Sequence, residues 1–203
     1  ISADIAAGNG ILHITGATSL SPQASAIPAA VAEAGESAYV RAGHFAVDLG
    51  VVDLLLDGPG GSFVLPDLAY TSQQGYQALI PGVYTLKFIV SGMPPDQPIL
   101  GPFELAFAPG SAVTVLALGT LGRGTLGVAV FAEDYATLAA DQARVTFYNA
   151  IEGAPALDIR SGSGLTLING LAYRSDPVFL DLAPGNYTFL SGQTNGPPVM
   201  QTS

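Results

Sequence analysis

The sequence contains no cysteine and no tryptophan, and only two histidines and six lysine or arginine residues occur among its 203 positions. Without cysteine the chain forms no disulfide and offers no thiolate to a metal. The 16 acidic residues give a formal charge of −10, which repels the phosphate backbone of nucleic acids. We therefore expect no nucleic acid among its partners.

Charge of either sign is scarce. Charged residues make up 11% of the chain and hydrophobic residues 49%, whereas an ordinary soluble domain carries about 25% charge. This composition excludes disorder and leaves a largely neutral surface. In the longest uncharged stretch, 105–122, Pro109-Gly110 interrupts the run and the following residues alternate, so we expect two strands and a turn there and no membrane span.

Apolar and polar residues alternate with a period of two along most of the chain, which is typical of strands. The pattern predicts an all-β protein of two tandem antiparallel β-sandwich (Ig-like) domains with an N-terminal β-hairpin arm. Helical patterning is limited to 29–37 and 134–141. The clearest predicted strands are VYTLKFIVS (83–91), FELAFA (103–108), AVTVLALG (112–119), LGVAVFA (126–132) and ARVTFYNA (143–150).

The chain repeats itself. The segment LAYTSQQGYQALIPGVYTL from Leu68 matches LAYRSDPVFLDLAPGNYTFL from Leu171, and the residues after Val40 match those after Val145. In both copies a Pro-Gly pair, at 81–82 and 184–185, predicts a tight turn that leads Tyr84 and Tyr187 into the next strand.

The first copy carries VDLLLDG, LIPGVYTLKF and AVTVLALG in the order of a known pattern. Residues 38–133 resemble the bacterial surface repeat family called domain of unknown function 4397. The resemblance implies a sandwich fold in a secreted, cell-surface setting, and it implies no activity.

The opening residues ADIAAGNGILHITGATSLSP resemble the closing strands of a fasciclin-like domain, an extracellular adhesion module. We expect two strands joined through Gly8-Asn9-Gly10. The predicted organisation is therefore an arm over 1–22, a linker over 23–37, a first sandwich over 38–133, a linker over 134–142 and an incomplete second sandwich over 143–203.

The second copy predicts an open groove. From the shared Pro-Gly turn it is 33 residues shorter than the first copy, which corresponds to roughly three strands. A sandwich without these strands exposes unpaired backbone groups that a foreign strand can satisfy. We expect head-to-tail self-association into an extracellular filament, with the arm of one copy as the donor. The predicted interface residues are Ile1, Ile5, Ile11, Leu12 and Ile14.

The alternative is a monomeric adhesion module of a larger cell-surface protein that binds a surface glycan or matrix. An enzyme is not expected, and we assign no catalytic, cofactor-binding or metal-binding residue.

Gly122–Gly127 satisfies G-x-G-x-x-G, but a strand rather than a helix is predicted to follow, so we interpret it as a hairpin loop. His13 and His44 are expected to be structural. A weak calcium site at Asp53 and Asp57 and a glycosylation sequon at Asn186 stay open.

Overall fold

The computed structural model describes residues 3–7, 10–15, 37–133, 142–183, 185–196 and 198–202; for 3–7, 10–15 and 198–202 the description covers the backbone. The chain divides into two compact units. We call Ile27–Glu133 the central unit, and Ile1–Ala26 together with Asp134–Ser203 the terminal unit. The predicted helical segments lie outside the described residues except for Ser37.

The described residues form strands, as the alternation predicted, and one turn of 3-10 helix at Leu121–Arg123. The strands, in chain order, are β1 Ala3–Ala7, β2 Gly10–Thr15, β3 Ala38–Ala46, β4 Val52–Gly58, β5 Gly61–Leu68, β6 Ser72–Gln73, β7 Gln77–Leu79, β8 Gly82–Val90, β9 Leu100–Phe107, β10 Ala112–Gly119, β11 Gly127–Ala132, β12 Ala143–Asn149, β13 Leu157–Ser161, β14 Thr166–Leu171, β15 Val178–Leu182, β16 Phe189–Gln193 and β17 Pro198–Thr202.

The central unit contains two sheets that pack face to face. One has the order β11-β10-β3-β6, with β7 also paired to β3, and the other has the order β5-β4-β8-β9. Val40 and Val115 of the first sheet share a buried cluster with Leu54, Leu86 and Phe88 of the second. The prediction of a strand over 112–119 is confirmed residue for residue by β10, and the uncharged stretch is two strands and a turn.

One pairing in the central unit departs from the antiparallel prediction. β10 runs parallel to β3, with Val115 in register with Ala42, while the other described ladders are antiparallel. Parallel neighbours need a crossover, and here the chain passes through the second sheet as β8 and β9 before it returns as β10. The alternation of residues along a strand does not reveal this direction.

The terminal unit also contains two facing sheets, with orders β1-β2-β12-β15 and β14-β13-β16-β17. Phe147 of β12 and Phe189 of β16 lie in its core with ring centroids 5.1 Å apart at an interplanar angle of 79°. This edge-to-face geometry is favourable for aromatic pairs.

The N-terminal hairpin exists, but it pairs with its own chain, whereas the sequence predicted an arm that leaves its own chain to pair with another copy. β1 and β2 pair antiparallel, and β2 also pairs with β12. The expected deficit of three strands is likewise corrected. β17 pairs with β16 as β9 pairs with β8, and β2 lies beside β12 as β10 lies beside β3. The reason is a non-local ladder between residues more than 120 positions apart, which no local pattern announces.

The same hydrogen bonds occur in both units at positions that the sequence repeat aligns. The hydroxyl of Tyr84 donates to the carbonyl of Ile80 at 2.9 Å, and that of Tyr187 donates to Ala183 at 2.9 Å. Each bond ties the tyrosine ring to the turn before its strand. Of the two Pro-Gly turns, the first has Gly82 at φ 151°, and the second includes residue 184, which lies outside the described residues.

A second shared bond lies where each unit turns after its LAY segment. The backbone N–H of Thr71 donates to the carbonyl of His44 at 2.8 Å, and that of Arg174 donates to Asn149 at 3.0 Å. Thr71 and Arg174 both have positive φ, 71° and 58°, which non-glycine residues rarely adopt. The turns are therefore alike in conformation as well as in bonding.

Gly58 tests the packing of the central unit. A Cβ at this position would lie 2.3 Å from Cδ1 of Tyr84, whose ring is buried. We expect Gly58→Ala to lower the free energy of unfolding by about 1–3 kcal/mol through overpacking. Gly75→Ala is the matched control because a Cβ there has no neighbour within 4 Å. Chemical denaturation checks this, and equal stability of the two variants would contradict it.

Candidate functional site

The ladder between β2 and β12 is where the sequence-predicted interface residues meet the rest of the chain. Ile14 lies opposite Phe147, and Leu12 lies opposite Asn149. β15 pairs with the other side of β12, with Phe147 in register with Val178. β12 is thus flanked by two strands, one from each end of the sequence.

The predicted interface residues divide into two register rows. Ile5 is paired with Leu12 in the hairpin, so Ile5, Leu12 and Ile14 share the row of Phe147. Ile11 is paired with Ala6 and belongs to the alternate row. Ile1 lies outside the described residues. The structure therefore places three of the five predicted residues in one register row, with Leu12 and Ile14 on the strand next to β12 and Ile5 one strand further out.

Sequence reasoning missed the receiving side of this ladder. Phe147 is fully buried in the core, and Asn149 is fully buried as well. The Asn149 side chain accepts a hydrogen bond from the N–H of Ile151 at 2.9 Å and donates one to the carbonyl of Leu171 at 3.0 Å. The signal was present in the repeat, since Asn149 aligns with His44, whose Nδ1 accepts from the N–H of Ala46 two residues on.

The alternate row of β12 carries Tyr148, which lies opposite His13 in the ladder and is 3% exposed. Burial raises the pKa of Tyr148 to about 12; the guanidinium of Arg174 opposes the rise, and Tyr173 and Asp176 add to it. Arg174 is exposed and lies 5.5 Å from the ring centroid of Tyr173. β12 is therefore buried on both of its faces.

The core of the terminal unit differs from that of the central unit at one aligned position. Phe88 pairs with Leu54 and is fully buried, whereas Ser191 pairs with Ile159 and is 2% exposed. Among the described residues the Ser191 hydroxyl has no hydrogen-bond partner. A hydroxyl replaces a phenyl ring, so the terminal unit has less apolar volume at this point.

The carboxylates and histidine that raised alternative chemistry have structural partners. Asp57 accepts from Ser62 at 2.6 Å and pairs with Lys87, and Asp53 accepts from the N–H of Asp67 at 2.9 Å. His44 is buried, with Nε2 3.0 Å from the carbonyl of Gly50. Burial lowers the pKa of His44, although the carbonyls of Leu49 and Gly50 oppose this.

The glycine-rich segment is a hairpin loop, as predicted, because β11 follows it and pairs with β10. The carboxylate of Asp48 accepts from the N–H groups of Leu121 and Gly122 at 2.7 Å each.

Among the described residues there is no group of three His, Asp or Glu side chains placed to hold a metal ion. No helix in the described part of the chain is long and apolar enough to cross a membrane.

Two sheets packed face to face around an apolar core in each unit define an all-β, sandwich-like protein. Residues 38–160 match the protein family described as Domain of unknown function (DUF4397). This match spans more than half of the chain, so the chain belongs to that family. It runs from the start of β3 to Arg160 in β13, so it covers the central unit from its first strand and the first part of the C-terminal segment of the terminal unit. No curated protein and no solved structure matches the chain.

Burial of Tyr148 on β12 makes the stability of the terminal unit depend on pH in the alkaline range. An unfolded tyrosine has a pKa near 10, so the folded terminal unit holds the Tyr148 proton more tightly. The stability that this contributes is present below pH about 10 and is lost as the pH rises towards 12. We expect Tyr148→Phe to lose less stability over this window than the parent chain, as followed by circular dichroism. Identical alkaline unfolding of the two chains would refute the assignment.

Proposed function

We propose that the protein is a non-enzymatic extracellular structural subunit that assembles head to tail by exchange of the β1–β2 hairpin between copies. The observation that carries this is the ladder between β2 and β12. A hairpin from the start of the sequence completes a sheet whose central strand begins at Ala143. The same bonds can form when the hairpin comes from another copy, which is the condition for a strand-exchanged polymer.

We further propose that the two units are copies of one sandwich. The repeated tyrosine and LAY-turn hydrogen bonds support this. The sheet orders β11-β10-β3-β6 and β1-β2-β12-β15 support it as well, because β3 and β12 each have a two-stranded hairpin on one side. In the central unit the hairpin β10–β11 flanks β3, and in the terminal unit β2–β1 flanks β12. The direction differs, because β10 is parallel to β3 and β2 is antiparallel to β12. The place beside β12 is thus filled by the N-terminal hairpin, which runs in the opposite direction to the strand that fills the equivalent place beside β3.

The concentration of subunits determines whether the hairpin pairs within its own chain or with another copy. The ladder is the same within one chain or between two, so the difference lies in how concentrated the hairpin is near β12. A segment on a short flexible linker has an effective concentration of about millimolar, which sets an upper scale for a hairpin whose connection to β12 includes the central unit. Exchange between copies therefore requires a comparable density of subunits or extra contacts between their surfaces. A cell surface supplies the first, and a chain with 11% charged residues favours the second.

The geometry of exchange favours a filament. The donor is the hairpin and the acceptor is β12 with its core, so the contact joins two different surfaces. Such a heterologous contact does not have to close into a ring and can propagate without limit. The extracellular and bacterial setting is supported by the resemblance to surface and fasciclin-like modules. The chain has no cysteine, so the exchanged contact rests on non-covalent pairing.

A mixing experiment tests exchange directly. Thr15 and Thr146 are opposite each other in the ladder, and the chain has no native cysteine. We mix a Thr15→Cys chain with a Thr146→Cys chain, unfold and refold them together at high concentration, and oxidise. Exchange predicts a disulfide-linked heterodimer, because the two cysteines meet only when the hairpin of one copy pairs with β12 of another.

Controls make the result specific. Pairing Thr15→Cys with Thr166→Cys should give no heterodimer, because Thr166 lies on β14 and is exposed away from this ladder. A chain that carries both Thr15→Cys and Thr146→Cys should close within itself when dilute. Deleting residues 1–15 should abolish polymers seen by electron microscopy. No heterodimer at any concentration, or polymers that survive the deletion, would remove the proposed function.

A second candidate is a monomeric adhesion or ligand-binding module. It is favoured by the alike LAY turns, where Tyr70 is 36% exposed beside Thr71 and Tyr173 lies beside the exposed Arg174. An aromatic ring next to a cation or a polar turn is suited to binding a polysaccharide. Saturable binding of the monomeric chain to an immobilised cell-wall polysaccharide, lost in Arg174→Ala, would support this candidate. Absence of binding together with exchange would exclude it.

A further inference from the structure

We propose that β11 is a self-pairing edge, through which two copies of the chain join their central-unit sheets around a two-fold axis. β11 is the last strand of its sheet and pairs with β10 on one side only among the described strands. This association is lateral and does not involve the β2–β12 ladder. It therefore stands or falls independently of hairpin exchange.

The other sheet edges described are protected against pairing with foreign strands. Natural edge strands avoid pairing with foreign strands through proline, charge, irregular register or short length. The other edge strands described each carry such a device. These are Asp4 in β1, Pro66 in β5, the short strands β6 and β7, Pro102 and Glu104 in β9, the register shifts of β14, the ion pair of Asp181 with Arg144 in β15, and Pro198 in β17.

β11 has none of these devices. Its sequence, Gly-Val-Ala-Val-Phe-Ala, contains no proline and no charge, and its pairing with β10 runs without a register shift from Val113↔Ala132 to Leu118↔Gly127. The nearest charge, Glu133, forms an ion pair with Arg41. An incoming strand would therefore meet a regular, neutral edge.

Val130 is an apolar core-facing residue that the edge of the sheet leaves partly uncovered. It lies opposite Val115, which is fully buried in the core of the central unit, yet Val130 itself is 40% exposed. Val128, two residues earlier, packs partly against the same core. One more strand beside β11 would cover Val130 and continue the row.

A second copy of β11 fits this edge better than a strand of other chemistry. Two identical strands that pair antiparallel around a two-fold axis present the same surface to each other, so each provides what the other lacks. Like charges directly opposite each other would oppose such pairing, and β11 has none. Glu133, which directly follows β11, forms an ion pair with Arg41, and this lowers the negative charge next to the contact.

Single-cysteine scanning tests the pairing, since the chain has no cysteine of its own. Positions 128, 129, 130 and 132 are changed to cysteine one at a time in the full chain and oxidised with oxidised glutathione. Two-fold pairing predicts a disulfide-linked homodimer that peaks at the position nearest the axis. Val64→Cys is the matched control, because Val64 lies on the edge strand β5 and is 44% exposed. We expect at least tenfold more dimer at the peak than at Val64.

A charge variant completes the test. Val130→Lys places two like charges at the contact and should shift the chain towards monomer in sedimentation, whereas Val64→Lys should not. Circular dichroism melting verifies that the variants fold. Dimer yields no higher at any β11 position than at Val64 would overturn the inference. A Thr15–Thr146 heterodimer without a β11 dimer would overturn it while leaving hairpin exchange intact, and the reverse result would do the opposite.

Discussion

The terminal unit depends on the backbone ladder between β2 and β12. A central strand in a sheet must satisfy hydrogen-bonding groups on both sides, because an unpaired buried backbone group costs as much as a lost hydrogen bond. β12 is paired with β15 on one side and with β2 on the other. Since Phe147 and Asn149 on β12 are fully buried, loss of this neighbour would open the core as well as the sheet.

In each unit one buried strand, β3 or β12, has a neighbour on both sides, but that neighbour comes from a different part of the chain in each unit. Beside β3 the missing partner arrives late in the chain as β10, parallel and buried along its whole length. Beside β12 it arrives from the start of the chain and runs antiparallel. The substitution of Ser191 where the central unit has Phe88 points the same way, because the terminal unit has the smaller apolar side chain and an unpartnered hydroxyl at this point of its core. The unit whose sheet is completed by the N-terminal hairpin is thus also the one with a hydroxyl in place of a phenyl ring at this aligned core position.

Much of the fold could be predicted from sequence because strands are encoded locally. The alternation in AVTVLALG and the Pro-Gly turn before Tyr84 placed β10 and the start of β8 within a residue. Pairing partners are not encoded locally, so the parallel direction of β10 and the docking of β2 onto β12 were missed. For the candidate site, the sequence pointed to Ile5, Leu12 and Ile14, which share one register row of the hairpin. It did not point to Phe147 and Asn149 on β12, because a strand that is paired on both sides has the same local pattern as any core strand.

The direction of β2 relative to β12 has a mechanical consequence. Thr15, where the chain leaves β2, is paired with Thr146, close to Ala143, where the chain enters β12. Tension transmitted along the polypeptide would therefore act at one end of the ladder and peel its hydrogen bonds apart in sequence, as a zipper opens. The ladder would resist a steady load poorly, but once the load is released it would re-form from the pairs that remain bonded, such as Leu12 with Asn149, back towards Thr15 and Thr146.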